Sequence, residues 1–231
     1  MEKSAKKFFS ALKFSTFLIV VIWIVHVWTQ ATGISLSRYG VFPREPDGLI
    51  GILTAPLVHG SWEHLISNSA PLFVTATMIS FFYKRVAIPS FFFIYLLTGA
   101  SVWLFGRSVY HIGASGVVYG LVAFIFWSGI FRRNIKSIIL ALIVIILYSG
   151  YLGGILPLKE GISWESHLMG GIVGIIVAYI FKGMIEKDEH KTDPWADEEN
   201  EEKQYYLPRD TFEKTKLERE MERESDFLSL D

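Results

Sequence analysis

The segment 166–174, with the sequence SHLMGGIVG, opens the last of several long apolar runs in this chain of 231 residues. On a helix that turns about 100° per residue, Gly170, Gly171 and Gly174 fall within about 60° of His167. One helix face then carries both an imidazole and a groove of glycines, and such a groove lets a second membrane helix approach closely. The segment predicts a membrane helix that presents a histidine to a tightly packed partner.

The rest of the chain has the composition of a membrane protein. Hydrophobic residues make up 51% of it, and they come in long runs instead of amphipathic stripes. Six runs are long enough, at about 1.5 Å per residue, to cross about 30 Å of hydrocarbon. They lie at about residues 14–32, 64–83, 86–105, 113–131, 137–156 and 164–181. We therefore predict an all-α membrane protein, a six-transmembrane-helix bundle that forms one membrane domain over residues 14–185.

Basic residues flank the predicted spans unevenly. Most lie before the first span or after the second, fourth and sixth: Lys3, Lys6, Lys7, Lys13, Lys84, Arg85, Arg132, Arg133, Lys136 and Lys182. Only Arg38, Arg44, Arg107 and Lys159 fall on the other side. Because cytoplasmic loops carry the excess of Lys and Arg, both termini are predicted to be cytoplasmic. We expect residues 1–13 to form a basic cytoplasmic N-terminus in a multi-pass protein of the bacterial inner (plasma) membrane.

The C-terminal part of the chain differs from the apolar region in charge. Residues 186–231 hold 17 acidic and 8 basic residues, against 6 and 14 in the remainder. Dense charge with few apolar residues predicts a largely disordered cytoplasmic tail, with a marginal helix near 210–224. A cytoplasmic docking segment is the alternative.

Two loops are rich in residues that interrupt helices. Residues 33–60 are read as a structured loop resting at the outer membrane interface, with an ordinary solvated linker as the alternative. Residues 150–163 contain four glycines and a proline and are compatible with a flexible cap or a plain loop.

The short connections after the second and fourth spans predict antiparallel hairpins. The chain has no cysteine, which excludes disulfides and thiol chemistry.

Three spans begin with polar residues, and alternate spans begin on the same side of the membrane. Ser115 lies at a helix start, where free backbone N–H groups favour a developing negative charge. His167 could accept its proton, because glycines bring the two helices together. His64 and Asn68, four residues apart, could stabilise an oxyanion. Each signal alone also fits ordinary packing of small residues or hydrogen bonds between helices.

Taken together, the polar residues form motifs of a known family. Three segments resemble the rhomboid intramembrane serine proteases: HxxxN at 64–68, GxSGxxYG at 113–120 and HxxG at 167–170. The resemblance extends over the six predicted spans, and it implies a six-helix rhomboid-like fold that cleaves a peptide bond in or near a substrate's transmembrane helix.

The resemblance also assigns roles to individual residues. Rhomboids use a Ser–His dyad without a catalytic acid, which makes Ser115 the nucleophile and His167 the general base. Tyr119 matches the tyrosine that packs against this histidine. His64, Asn68 and the Ser115 N–H match the oxyanion hole.

Three further residues take supporting places in the same resemblance. Gly113 and Gly116 belong to the motif around the serine, and His59 resembles a polar residue often found five positions before the first motif histidine. The chain departs from many rhomboids in one respect, since residues 33–60 lack a Trp-Arg pair. This departure concerns the structure of the loop and not catalysis.

Two other functions compete with proteolysis. A non-catalytic rhomboid-like protein would bind membrane clients, although such proteins usually lack the serine or the histidine. A metal-dependent enzyme or transporter would use His59, His64, His111 and His167, but no HExxH motif occurs and no carboxylate lies deep in a span. We predict no metal, no cofactor and no nucleic-acid partner. The expected partners are transmembrane protein substrates and the lipid bilayer, while substrate identity and oligomeric state stay open.

The remaining histidines receive structural interpretations. His26 lies in the middle of the first span and is expected to pack against or bond a neighbouring helix. His111 is expected at the membrane interface in the outer loop, and His190 belongs to the tail.

Overall fold

The computed structural model describes residues 2–133, 135–150, 154, 156, 163–184 and 212–228, without the side chains of 2–7 and 226–228. This part of the chain is helical, and its β pairing is one isolated antiparallel bridge between Val41 and His111. Its α-helices are α1 (Glu2–Thr32), α2 (Gly51–Thr54), α3 (Trp62–Phe82), α4 (Ala87–Phe105), α5 (Ser115–Arg132), α6 (Ile135–Tyr148), α7 (Trp164–Ile180) and α8 (Lys216–Leu228).

Among the described residues, four helices are long and apolar enough to cross a membrane. They are the Phe8–Thr32 part of α1, together with α3, α4 and α5, while α6 and α7 are shorter apolar helices. At about 1.5 Å per residue, the 14 residues of α6 extend about 21 Å. Of the helix expected over 137–156, the α-helical part ends at Tyr148 and a 3-10 turn occupies 149–150, while residues 151–153, 155 and 157–162 lie outside the described part.

Helix α5 is the central helix of the bundle. It packs most extensively against α7, and it also contacts α6, α3 and α4. Its side chains Leu121, Phe124 and Ile125 are fully buried in the main apolar core. The peripheral helices expose large apolar side chains, such as Phe17 on α1 and Ile146 on α6, as expected of surfaces that face lipid.

The loop 33–60 is structured, as predicted in preference to a solvated linker. It contains α2 and three 3-10 turns, at Ser37–Tyr39, Pro46–Ile50 and Ala55–Leu57. Gly51 has no room for a side chain, because a Cβ there would overlap the carbonyl of Gly40. The Ala55 carbonyl accepts a hydrogen bond of 2.9 Å from the N–H of Gly113, so this loop supports the turn that leads into α5.

The chain separates into two compact units, Met1–Glu189 and His190–Asp231. In the second unit, Thr215 and Glu218 form a capping box at the start of α8, with the Thr215 N–H donating to Glu218 Oε2 at 2.7 Å. The marginal helix expected near 210–224 is found slightly later, at Lys216–Leu228. The expected disorder of residues 186–211 and 229–231 concerns residues outside the described part.

Candidate active site

The backbones of α5 and α7 are in direct contact through glycines. A Cβ on Gly170 would overlap the carbonyl of Gly116, and one on Gly174 would overlap the carbonyl of Gly120. Such close approach is the use that membrane helices make of small residues. The glycine groove predicted around His167 is present with one correction, because a Cβ on Gly171 would meet nothing within 4 Å. The contact involves a narrower strip of the helix than the sequence periodicity suggested.

This contact places the predicted serine and histidine next to each other. Ser115 is the first residue of α5, and His167 lies in the first turn of α7. Ser115 Oγ is 2.8 Å from His167 Nε2, and His167 Nδ1 is 2.8 Å from the Gly154 carbonyl oxygen. A carbonyl can only accept, so Nδ1 carries the ring proton and Nε2 is left to accept the Ser115 hydroxyl. This tautomer is the one that a general base requires.

The imidazole is held in plane by an aromatic neighbour. The rings of Tyr119 and His167 are stacked with centroids 4.1 Å apart and planes inclined by 8°. Tyr119 and His167 are both buried. Gly154 lies so close that a Cβ there would overlap the Tyr119 hydroxyl. Three contacts, to Ser115, Gly154 and Tyr119, thus fix the ring of His167.

Gly113 brings α3 beside the serine. Its φ of +101° lies in the region that favours glycine, and a Cβ there would come within 2.5 Å of His64 Nε2 and 3.6 Å of Asn68 Nδ2. The amide of Asn68 also donates to the His64 carbonyl at 2.9 Å, which holds it on the same helix face. Two side-chain donors from α3 therefore meet the turn that precedes Ser115.

The start of α5 adds backbone donors. The first hydrogen bond of this helix runs from the Val118 N–H to the Ala114 carbonyl, at 3.0 Å. The N–H groups of Ser115, Gly116 and Val117 precede that bond, so they have no partner within the helix. Together with the helix dipole, they favour negative charge at this position.

These groups surround an open cavity of about 800 Å³ at the end of the bundle where α3, α5 and α7 begin. Its lining includes five of the predicted site residues: His64, Asn68, Ser115, Tyr119 and His167. Gly113, Gly116 and His59 do not line it. The two glycines permit close contacts behind the cavity wall, with α3 and α7 respectively.

His59 is placed behind His64 and not in the cavity. It is 4% exposed, its ring centroid lies 5.0 Å from that of His64, and neither of its ring nitrogens makes a well-aligned hydrogen bond to a described residue, the Leu57 backbone offering only a weaker one. Burial, with a smaller effect of the nearby His64, lowers the pKa of His59 to about 4. His59 is thus a neutral packing partner for His64. Its carbonyl contacts His26 Nδ1 at 3.2 Å, and the His26 ring also packs edge-on against Trp62, the first residue of α3, so His26 packs against a neighbouring helix as expected.

Sequence reasoning missed a second polar group in the same cavity. His111, expected at the membrane interface, is buried, and its Nδ1 lies 2.5 Å from Ser163 Oγ. Burial also lowers the pKa of His111. Arg107 Nε lies 2.8 Å from Oε1 of Glu165, a carboxylate that is 5% exposed. The partners are more than 50 residues apart, so no local pattern could reveal them.

The chemistry of the cavity is that of a hydroxyl beside an imidazole. In the described part of the chain, no three His, Cys, Asp or Glu side chains are grouped so that they could hold a metal ion. The hydroxyl, the ring nitrogen and the donors from α3 and α5 all converge on one space, as nucleophilic attack on a carbonyl requires.

Comparison with known proteins identifies the family. The family model described as Rhomboid domain matches residues 46–183. An uncharacterised protein of Mycobacterium tuberculosis (strain H37Rv) is 35% identical over 176 residues, which cover 70% of this chain and 71% of the relative. An uncharacterised protein of Mycobacterium leprae is 33% identical over 171 residues, covering 70% and 68%. The chloroplastic rhomboid-like protein 11 of Arabidopsis thaliana is 26% identical over 183 residues, covering 69% and 61%.

The matched region contains every residue of the cavity and the apolar helices α3 to α7. With its several apolar helices, the protein is an integral, multi-pass membrane protein. This chain belongs to the rhomboid family.

Proposed function

We propose that this protein is an intramembrane serine endopeptidase that hydrolyses a peptide bond in or near the transmembrane helix of its substrates. The observation that carries the proposal is the contact of 2.8 Å between Ser115 Oγ and His167 Nε2, with the opposite ring nitrogen bonded to the Gly154 carbonyl. A packing histidine would not need a fixed tautomer, a hydroxyl partner and an open cavity together. Membership of the rhomboid family supports the same function.

The first half of the reaction is an acylation. Ser115 Oγ attacks the carbonyl carbon of the scissile bond while its proton passes to His167 Nε2. When the tetrahedral intermediate collapses, the C–N bond breaks and His167 returns this proton to the leaving amine. The product is an ester between Ser115 and the new carboxyl end of the substrate.

The second half is hydrolysis of that ester. A water molecule in the cavity gives its proton to His167 Nε2 and attacks the acyl carbon. Collapse of the second intermediate returns the proton to Ser115 Oγ and releases a carboxylic acid, which then loses its own proton to solvent. Both intermediates carry an oxyanion, for which we propose His64, Asn68 and the Ser115 N–H as donors. Losing one such donor typically costs about 10²–10³ in rate.

The charge pattern supports a placement in the membrane. We propose six spans within residues 14–185 and both termini in the cytoplasm, because Lys and Arg concentrate at one end of the helices. Ser115 and His167 then lie at the outer ends of their helices, in the bacterial plasma membrane. Water reaches the site through the cavity, and a substrate helix must unwind locally, because its carbonyls are otherwise hydrogen-bonded. The charged segment 186–231 is a cytoplasmic tail.

The proposal is tested by removing the nucleophile. Ser115→Ala should abolish cleavage of a labelled transmembrane substrate by the purified protein in liposomes, and a fluorophosphonate should label wild type at Ser115 but not the variant. Ser128→Ala is the matched control, since Ser128 is a buried serine further along α5. Undiminished cleavage by Ser115→Ala, or client binding by wild type without cleavage or labelling, would contradict the proposal.

A further inference from the structure

We propose that Arg107, His111, Ser163 and Glu165 form an anchoring cluster that positions His167 against Ser115. This inference rests on the proposed function and deepens it, because it assigns positioning residues to the Ser115–His167 pair. In the described contacts, no side chain of these four residues touches Ser115 or His167. They act by connecting the first turn of α7 to the loop 106–114, which leads directly into α5.

The first connection runs through His111 and Ser163. The Arg107 carbonyl lies 3.0 Å from His111 Nε2 and can only accept, so Nε2 carries the proton and Nδ1 accepts from the Ser163 hydroxyl at 2.5 Å. The carbonyl of Ser163 in turn accepts the backbone N–H of His167, at 3.3 Å. The base is therefore two hydrogen bonds away from the loop that precedes the nucleophile.

The second connection is an ion pair two residues before the base. Arg107 Nε lies 2.8 Å from Glu165 Oε1, and the Glu165 side chain is 6% exposed whereas that of Arg107 is 53% exposed. Neither Glu165 oxygen has a well-aligned hydrogen bond among the described residues, so the guanidinium is what balances this buried charge. A carboxylate buried to this extent is costly without its cation, which makes the pair a strong constraint on where α7 begins.

The loop side of the cluster is itself rigid. The N–H of His111 donates to the Val41 carbonyl and the Val41 N–H donates to the His111 carbonyl, both at 2.9 Å. Both groups belong to buried residues. Because the loop 33–60 holds His111 from behind, the cluster transmits the position of that loop to α7.

The cluster provides what the glycine contacts cannot. Backbone contact between α5 and α7 fixes their separation at Gly170 and Gly174, which both follow His167 along the helix. Anchors at Ser163 and Glu165 fix the axial position of the first turn, where His167 lies. A displacement of about 1 Å at a reacting group can cost about 10² in rate.

The test compares Glu165→Gln with Glu45→Gln, which makes the same change at an exposed carboxylate in the loop 33–60, outside the cavity lining. With a labelled transmembrane substrate in liposomes, Glu165→Gln should lower kcat at least about tenfold with KM within about twofold of wild type. It should slow fluorophosphonate labelling of Ser115 by a similar factor. Glu45→Gln should stay near wild type in both measurements.

Conservative replacement separates positioning from general loss of structure. Arg107→Gln should resemble Glu165→Gln, whereas Arg107→Lys should restore most of the kcat. Combining Arg107→Gln with Glu165→Gln should cost no more than either change alone, since both remove one interaction. If Glu165→Gln fails to fold, Ser163→Ala tests the other connection and should show the same kcat-selective loss.

Hydrogen exchange gives a readout without activity. In Glu165→Gln and in Ser163→Ala, amides of residues 163–170 should exchange faster than in wild type, with no change in α4. The anchoring role would be overturned if both variants had the same kcat, labelling rate and amide exchange as the wild-type protein. If wild type itself neither cleaves nor labels, the proposed function fails, while the exchange data still decide whether the cluster anchors α7.

Discussion

Two buried histidines, His167 on the α7 side of the cavity and His59 behind its α3 side, differ in the hydrogen bonds of their ring nitrogens. On the α7 side, both ring nitrogens of His167 are hydrogen-bonded: Nε2 to Ser115 Oγ and Nδ1 to the Gly154 carbonyl. On the α3 side, neither nitrogen of His59 makes a well-aligned hydrogen bond to a described residue, and the Leu57 backbone offers only a weaker one. Polar atoms left unpaired in a protein interior are costly, so the α3 side carries a free-energy cost that the α7 side does not.

The difference shows which side is complete before a substrate arrives. On the α7 side, backbone contacts and hydrogen bonds fix the base in one tautomer and one plane. On the α3 side, the ring of His59 packs behind that of His64, whose ring faces the cavity along with Asn68. We infer that the base is preorganised by the fold, whereas the proposed oxyanion donors gain their best partner only when a carbonyl oxygen becomes charged.

The largest expected effect comes from forcing the α7 side apart. In Gly170→Leu, a side chain must occupy space filled by the Gly116 backbone, so cleavage and labelling of Ser115 should fall by more than about 10²-fold. Gly171→Leu is the control, because position 171 faces open space. Rates from purified protein in liposomes check the pair. Equal activity of the two variants would show that backbone contact between the helices does not position the base.

A smaller effect is expected on the α3 side. Asn68→Ala removes a proposed oxyanion donor and should lower kcat about 10²-fold with little change in KM. Ser67→Ala is a close control, because both side chains line the cavity and both bond the His64 carbonyl, at 3.0 Å and 2.9 Å. Its kcat should stay within about threefold of wild type. A similar loss in both variants would mean that Asn68 acts by holding α3 in shape.

The smallest effect concerns stability and pH. The pKa of His59 is about 4 in the folded protein against an ordinary 6.5, so an unfolded chain takes up this proton first as the pH falls. The contribution of His59 is complete above pH 6.5 and is lost between pH 6.5 and 4, by up to about 3 kcal/mol. His59→Phe should reduce the pH dependence of the unfolding free energy by this amount. Denaturant titrations at pH 7, 5.5 and 4 measure it, and parallel curves for variant and wild type would contradict it.

Much of the site follows from spacing along single helices. The interval of four residues between His64 and Asn68, and the glycines after His167, predict which side chains share a helix face. Since alternate helices begin at the same end of a bundle, these local patterns also predict that Ser115 and His167 meet. The exception, Gly171, arises because a face about 60° to each side is wider than the strip that two helices share.

The remainder depends on contacts that no local pattern encodes. The Gly154 carbonyl is a backbone group, so its bond to His167 leaves no signature in residue type. In the sequence, Arg107 contributed only to the distribution of basic residues and His111 was assigned only to a loop. Their contacts could not be predicted, because the partners lie more than 50 residues away. The end of α6 at Tyr148 lies two residues before Gly150, where the predicted glycine-rich loop begins, whereas the span drawn to residue 156 followed hydropathy alone.

The stacking of Tyr119 on His167 restricts the direction from which the leaving amine can receive its proton. One face of the imidazole is covered by an aromatic ring 4.1 Å away, and its Nδ1 edge is turned towards Gly154. The proton can therefore be delivered only along the Nε2 edge, in the plane of the ring. Inhibitors that place a flat group across that edge should block the exit of the amine without having to react with Ser115.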